Sequence, residues 1–460
     1  MSVERAITAI RFGTGRHPAM PDPTVADLLT ALGGPDHLAR HYPIEGFAGL
    51  GATQRDLRDL AKQARLAGTD AAAKTAKAAR RDIYRSERET QLSMLGMTLA
   101  RWVETGDPMR ERLTVFWADH FTTIGLGGLT RRAVSRYVED AIRPHLTGRF
   151  SDLLRAAVTH PMMLLYLDQA RSVGPHSQLA GNDPARGLNE NLAREIMELH
   201  TLGVGGPYVQ GDVRALAVVL AGLTVSGGLE FRFNQRMAEP GTKQFLGQSF
   251  GAAKPDLTDV HTALDVLANH PATARFVARK LAVHFVSDTP PAGLIAQMEA
   301  AFVRTNGQLM AVYEAMLSHE AALQAPLQKA KQPFDLVATT ARALGVSGDW
   351  IATRGPRFIL RQVVGPMRLM GQRWQEPNGP DGWPEDTEHW ITPQGLAGRI
   401  DWAMDVRAKI GRDLPNDPRA FLNDALGPLA SQRLMFAVGA AEQASDGIGL
   451  AIVSPEFQRR

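Results

Sequence analysis

No cysteine occurs among the 460 residues. That absence excludes disulfides, a thiol nucleophile, and zinc or iron–sulfur sites built on thiolates. A bound metal would have to use His, Asp, Glu or Asn, a donor set that suits harder cations or His-bound zinc or iron. Net charge is scarce as well, only +3 over the chain, too little to argue for nucleic acid as a partner. No apolar run reaches the length of a membrane-spanning helix. The stretch from Met1 to Pro18 lacks the apolar core of a secretory signal. By its own address the chain is expected in the cytoplasm, with periplasmic export on a signal-bearing partner left open. Also missing are a P-loop, a Rossmann glycine pattern, His-Glu-x-x-His and Gly-x-Ser-x-Gly. Their absence argues against a nucleotide enzyme, a zincin and an α/β-hydrolase.

What is present is the composition of an ordinary soluble protein, 44% hydrophobic and 22% charged. Length alone would allow about three domains, yet no clean linker and no fixed-period repeat divides the chain. It reads as one large helical domain over 1–460. Helical periodicity dominates, with expected helices including 24–32, 47–66, 70–104, 108–121, 150–157, 188–202, 257–268, 271–285, 333–344 and 394–410. Asp107-Pro108, His160-Pro161, His270-Pro271 and Asp417-Pro418 place proline in the first helical turn. The expected class is mainly α: a multi-helix single domain with one small β-hairpin and long loops.

Three segments depart from plain helix. Residues 223–233 alternate around Gly227-Gly228 and read as the hairpin, with the remainder of 223–256 as loop. A second long loop, 372–393, holds Pro377, Pro380, Gly382, Trp383, Pro384 and Trp390. Loops this long are often functional, and their aromatics are expected to anchor on the core. The Ala-rich segment 54–104 reads as an exposed helix or a helical hairpin broken at Gly68. Its residues 54–90 hold ten Arg/Lys against six Asp/Glu. A basic helix can meet phosphate, a membrane surface or an acidic partner, while the interspersed acids also fit a solvated face.

The densest polar pattern is Leu188-Asn-Glu-Asn-Leu-Ala-Arg-Glu-Ile-Met-Glu-Leu-His-Thr-Leu-Gly-Val204. At about 100° per residue, Glu190, Thr201, Arg194, Glu198, Asn191 and Glu195 fall within roughly 140°. Leu192, Ala193, Ile196, Met197 and Leu199 take the other side, and His200 lands among them. Asn189 or Asp183 would cap the start, and Gly203 suits the left-handed end. Two readings of the polar arc stand. One is a solvated face of i,i+4 ion pairs, Glu190 with Arg194 and Arg194 with Glu198. The other is a polar cluster facing a cleft, in which carboxylates three apart, Glu195 and Glu198, share a metal or a proton. A histidine on the apolar side needs a partner, either a backbone carbonyl or a ligand.

Phe116-Trp-Ala-Asp-His-Phe121 sets Asp119 and His120 at a helix end, where a carboxylate and the helix terminus would both raise the pKa of His120. His160 and His270, each before proline, are expected to act where a helix starts. Asp212 is expected to cap the helix after it.

Taken together these segments resemble a bacterial family known only as domain of unknown function 1800. The resemblance rests on Arg11-Phe-Gly13, Phe116–Phe121, His160-Pro161 with Tyr166-Leu-Asp168, and Arg186–Gly203. It continues through Tyr208, Gln210 and Asp212, His270–Arg275, Lys280-Leu281 with Phe285, and Pro380-Asp-Gly-Trp-Pro384. It implies a largely helical bacterial protein and carries over no established activity. It also implies a neighbour from a second family, domain of unknown function 1501. That family is similar to alkaline phosphatases and sulfatases and commonly has an export signal. Relatives typically show His followed by an acidic residue before the Lys243-Gln-Phe-Leu-Gly247 segment. Here Ala238 stands at the histidine position, ahead of Glu239.

Two functions follow as expectations. The first is a metal-dependent or acid/base enzyme on helix 188–202. Glu195 and Glu198 would be bases or ligands, Arg194 would orient an anionic group, and His200 would assist. Any divalent metal would fall to Glu190, Glu195, Glu198 and His120, and Asn189, Asn191, Asp212, His160 and His270 would complete the motif positions. The second is a non-catalytic partner of the secreted hydrolase-like neighbour, with the polar helix as a structural network.

Overall fold

A computed structural model describes residues 2–182, 187–251, 253–406 and 415–460. Asp183 and Arg186, and the last residues of the helix expected over 394–410, lie outside these. Helices account for most of the described chain, and two short antiparallel hairpins make up its strands. Among the described residues no helix is long and apolar enough to cross a membrane.

The apolar side chains gather in two clusters. The first is built on Pro108–His120, Phe150–Thr159, the polar helix, Leu257–Ala268, Pro271–Phe285 and Leu309–Leu317. The second takes the end of Asp70–Glu104, then Pro333–Ala343, Pro393–Met404, Pro418–Leu426 and Ala444–Val453. The first helix, Val3–Ile7, runs into a wider π turn, Thr8–Phe12. It sends Ile7 and Ile10 into the second cluster and Phe12 into the first.

Histidine starts helices repeatedly here. The Nδ1 atoms of His160 and His270 accept the N–H of Met162 and Ala272, each at 3.1 Å, with proline following. His319 does the same for Ala321 at the short helix Glu320–Leu323, and His17 for Ala19 at a plain turn. At the helix starts each ring thereby satisfies an orphan donor of the first turn. Asp212, expected to cap the helix after it, lies at the third position of Gln210–Leu220 and supports its start from within, its Oδ2 accepting the Val209 N–H at 3.0 Å.

The expected hairpin is Leu223–Val225 paired with Phe231–Phe233, Thr224 opposite Arg232. A second hairpin stands within the stretch read as loop, Lys243–Phe245 with Gln248–Phe250. Leu246 and Gly247 turn it with φ of 45° and 73°, the two positive values that match the twist of a two-residue turn. The helix Ala444–Val453 was not expected, because Gly447 and Gly449 weaken its local signal. Both glycines are spent on close approach: a Cβ on Gly449 would sit 2.7 Å from the Met404 sulfur, and one on Gly447 2.7 Å from Pro418.

Candidate functional site

At the seam of the two clusters lies a cavity of about 100 Å³, room for a handful of waters or one small molecule. Its walls come from Asp70–Glu104, Pro108–His120, the 134–142 helix, Pro333–Ala343 and the 372–384 loop. The wall cations are paired. Arg101 meets Glu139 at 2.6 Å, Arg143 meets Glu111 at 2.6 Å, and Arg112 and Arg460 share Asp335 at 2.9 and 3.2 Å. Asp335 is fully buried. Burial works to raise its pKa, but Arg112 and Arg460 outweigh it and hold the carboxyl below its ordinary value.

Asp119 is the exception on this wall. Among the described residues it has no ion-pair partner; its two oxygens instead accept the Trp383 N–H at 2.9 and 3.1 Å. Burial pushes its pKa up to about 7, Glu385 and Asp381 adding to the rise while the Trp383 N–H and Lys280 oppose it. Glycine at 382 makes this docking possible. Its φ is +82°, and a Cβ there would stand 2.6 Å from the Asp119 carboxylate. The loop is anchored by its aromatics, as the sequence suggested: Trp390 is buried and its Nε1 donates to the Pro384 carbonyl at 2.8 Å, and Trp374 packs on Phe334. Behind it His284 meets Glu385 at 2.6 Å. Burial would raise the pKa of Glu385, but His284, Lys329 and Arg460 drive it far below the usual carboxylate range. Three donors or hydroxyls of the cavity wall, Trp102 Nε1, Trp374 Nε1 and Thr123 Oγ1, are buried without a hydrogen-bond partner among the described residues.

The polar helix lies on the other side of this loop. It runs as an α-helix over Asn191–Glu195 and then widens to a π turn, Ile196–His200. Asn189 fixes its start: its Oδ1 accepts the Asn191 N–H at 2.8 Å, and its Nδ2 donates to the carbonyls of Leu167 and Asp168. The arc is a half-exposed network. Arg194 lies 3.3 Å from Glu198 and 3.6 Å from Glu190, and Gln210 bridges Arg194 and Glu190 at 3.0 and 2.8 Å. Thr201 is a correction. It was placed in the polar arc but is fully buried, its hydroxyl donating to the Ile196 carbonyl. The π turn advances less than 100° per residue, so the wheel overshoots there. Glu195 feels burial first and Glu198 and Asp381 next, and all three raise its pKa. Glu195 and Asp381 also push the Tyr166 hydroxyl up to about 12, after burial.

His120 is the second correction. A raised pKa was expected; burial, Lys280 and His200 instead carry it well below the ordinary value. Asp119, next in sequence, turns away to the Trp383 N–H and offers no compensation. The His120 ring lies 5.8 Å from that of His200, its Nε2 3.1 Å from the His200 carbonyl. His200 is buried among aromatics, as the wheel placed it, and burial and Lys280 lower its pKa to about 3. Glu190, Glu195, Glu198 and His120 are not gathered into one coordination sphere. Among the described residues no group of three or more His, Asp or Glu is positioned to hold a metal ion. Ala238 is buried against Gly222, and its neighbour Glu239 meets His176 at 2.6 Å.

Sequence reasoning missed the cavity. Arg112 and Asp335 stand 223 positions apart, and nothing in the sequence tied the Pro380–Pro384 segment to Asp119, 264 positions from Trp383.

This is a mainly α protein with a partly open, largely apolar cavity edged by charged pairs and by a Trp/Pro loop. The chain belongs to the family described as protein of unknown function (DUF1800), whose model matches residues 22–459. No curated protein and no solved structure matches it.

Proposed function

We propose that the protein is an acid/base enzyme acting on a small, oxygen-rich molecule held in the cavity beside Asp119. The observation that carries this is one half-buried carboxyl, without an ion-pair partner among the described residues, with a pKa of about 7 on the cavity wall. Such a group is populated in both protonation states near neutral pH, the condition for efficient proton transfer. The indole N–H groups of Trp102 and Trp374 and the Thr123 hydroxyl would bond the oxygens of the substrate. Asp381 raises the pKa of both Asp119 and Glu195. Exposed Asp381 would pass protons to solvent. Glu195, Glu198 and Arg194 lie outside the cavity wall, and His200 stays neutral in the apolar core.

The test is a carboxyl ¹³C NMR titration with a panel of small carboxylates, amides and polyols. One aspartate should titrate near pH 7, vanish in Asp119→Asn, and shift when a panel member binds. An Asp119 that titrates near its ordinary value, or is unmoved by every compound, removes the reading.

A second reading, an accessory protein docking a secreted hydrolase-like neighbour, draws support from an apolar stripe. Leu396, Ile400 and Met404 recur every fourth residue of one helix at 37%, 43% and 41% exposure, and Phe436 is 79% exposed. Co-expression with that neighbour, with Ile400→Asp as control, tests it by co-elution.

A further inference from the structure

The side chains of the cavity wall limit what can occupy it. Its aromatic part is continuous: Phe334 stands between Trp102, edge-on at 5.1 Å, and Trp374, tilted at 4.7 Å. Trp383 and Pro377 join the lining from the loop. The helix Pro108–His120 contributes Glu111, Val115, Ala118 and Asp119, one face at helical spacing. The aromatic part is pinned. The Phe334 N–H donates to Gln372 Oε1 at 2.8 Å, and Gln372 Nε2 donates to Gln332 Oε1 at 2.9 Å. The Ser135 hydroxyl donates to Gln375 Oε1 at 2.9 Å. The loop is thus tied to the body on both sides of Trp374, which pre-organises the wall for a ligand.

The wall's charges already answer one another. Arg101, Arg112, Arg143 and Arg460 each face a carboxylate. An anionic ligand would have to break one of those pairs, and a buried pair is costly to break. The hydroxyls of Thr98, Thr114 and Thr122 donate to main-chain carbonyls of their own segments. Arg460 Nε faces Asp335. Among the described residues, the other buried polar side-chain atoms of the wall without a partner are Trp102 Nε1, Trp374 Nε1 and Thr123 Oγ1. Indole N–H groups donate only, and a threonine hydroxyl can donate as well. The wall therefore suits an uncharged molecule with an apolar body against the rings and acceptor oxygens for these donors.

We propose that the cavity takes an uncharged carbonyl compound with an apolar ring body, and that Asp119 moves a proton at the carbon beside its carbonyl. This rests on the reading of Asp119 as a proton-transfer group and narrows its substrate. The Asp119 carboxylate takes a proton from that carbon. The C–H electron pair becomes the C=C bond of an enolate, and the carbonyl π pair moves onto oxygen. An indole N–H bonded to that oxygen holds the developing negative charge more tightly than it holds the neutral carbonyl, which lowers the barrier. Return of the proton from Asp119, to the same carbon or a different one, completes a tautomerisation. No oxidant, reductant or second substrate is consumed.

The test uses cyclohexanone and indanone as probes, with benzamide and benzoate as a pair alike in shape and different in charge, and glycerol as a polyol. Saturation-transfer NMR on the full chain reads binding, and deuterium uptake beside the ketone carbonyl in heavy water reads proton transfer. The ketones and benzamide should bind, benzoate and glycerol should not, and uptake should run faster than in buffer alone. Asp119→Asn should lose about a hundredfold or more in uptake while still binding the ketones. Trp374→Phe keeps a ring and removes the N–H, so uptake should fall about tenfold or more, with a smaller loss of affinity. A cooperative thermal melt establishes that each variant folds, and Trp102→Phe replaces Trp374→Phe if that one does not. Ketones that do not bind, uptake no faster than in buffer, or Asp119→Asn or the Trp variant exchanging like the parent would each overturn the proposal. If benzoate or glycerol shifts the Asp119 titration while neither ketone nor benzamide does, the carbonyl substrate falls and the acid/base reading stands. An Asp119 that titrates near its ordinary value removes both.

Discussion

The Asp119 carboxylate and the Trp383 main-chain N–H meet at 2.9 Å across 264 positions of sequence. That contact brings the 372–384 loop to the cavity and leaves a half-buried carboxyl with no ion-pair partner among the described residues, Lys280 acting on it only from a distance. Its folded pKa, about 7, lies above the ordinary 3.8. The folded state therefore holds the proton more tightly than the unfolded chain. The stability this contributes is full below pH ~4 and is lost as pH rises through ~7. At about 1.4 kcal/mol per pH unit the loss is capped at about 4 kcal/mol. Asp119→Asn should remove that slope and melt higher than the parent at pH 8. Thermal melts from pH 4 to 8 check this; parallel curves for the two proteins would refute it.

Gly382→Ala separates the loop from the carboxylate. The new Cβ meets the Asp119 oxygen at 2.6 Å with φ at +82°, so steric overlap and backbone strain add. A cost of about 2 kcal/mol or more is expected. Because the loop must lift, the Trp383 N–H leaves Asp119, faster amide exchange should appear over 380–384, and the Trp fluorescence should shift. Exchange unchanged from the parent would show that the loop is held elsewhere.

The polar helix was expected to carry the chemistry, and its ion pairs were legible because i,i+4 spacing is local. Arg194 and its carboxylates are about a quarter to a third exposed, at 37%, 25% and 27%, so solvent screens them. Arg194→Met should cost under about 1 kcal/mol in denaturant unfolding. A loss several times larger would mean that the face is closed off from water in solution.

Local pattern also revealed the long helices, down to the end residues of Asp70–Glu104, and the histidines that start helices, since caps and periodicity are properties of neighbours in sequence. Three things were hidden for physical reasons. Thr201 was misplaced because the π turn over Ile196–His200 breaks the 100° step. Ala444–Val453 was missed because its glycines answer to packing partners far away in sequence. The charge state of His120 was inverted because burial, a tertiary property, overrode its sequence neighbour Asp119.

His120 and His200 give the opposite pH sign from Asp119. Both are kept neutral, His200 with a pKa of about 3 and His120 well below the ordinary 6.5. His200 contributes stability that is present above pH ~6.5 and lost as pH falls toward ~3, a slope of about 1.4 kcal/mol per pH unit in that window. His120 acts in the same direction. His200→Leu should flatten the acid limb of the stability curve whatever it does to stability at neutral pH. Urea unfolding at pH 4, 5 and 6 measures the slope, and an unchanged slope would mean that His200 takes up a proton in the folded state.

Asp335 is where removal of one side chain should do most harm. It is fully buried and is shared by Arg112 and Arg460 at 2.9 and 3.2 Å. The Arg112 Nε also donates to the Gly13 carbonyl at 2.7 Å, and an Arg460 nitrogen donates to that of His284 at 2.9 Å. The carboxylate thus ties the N-terminal segment, the Pro108–His120 helix and the last residue to Pro333–Ala343. Asp335→Ala leaves two buried guanidiniums facing each other, and breaking a buried pair in this way typically costs about 3–5 kcal/mol. Asp335→Asn keeps the shape and one acceptor and should cost less, because hydrogen bonds survive where charge does not. Denaturant midpoints for the two variants decide between charge and shape. If Asn and Ala are equally destabilised, the charge is what Arg112 and Arg460 require, and a neutral acceptor of the same size cannot replace it.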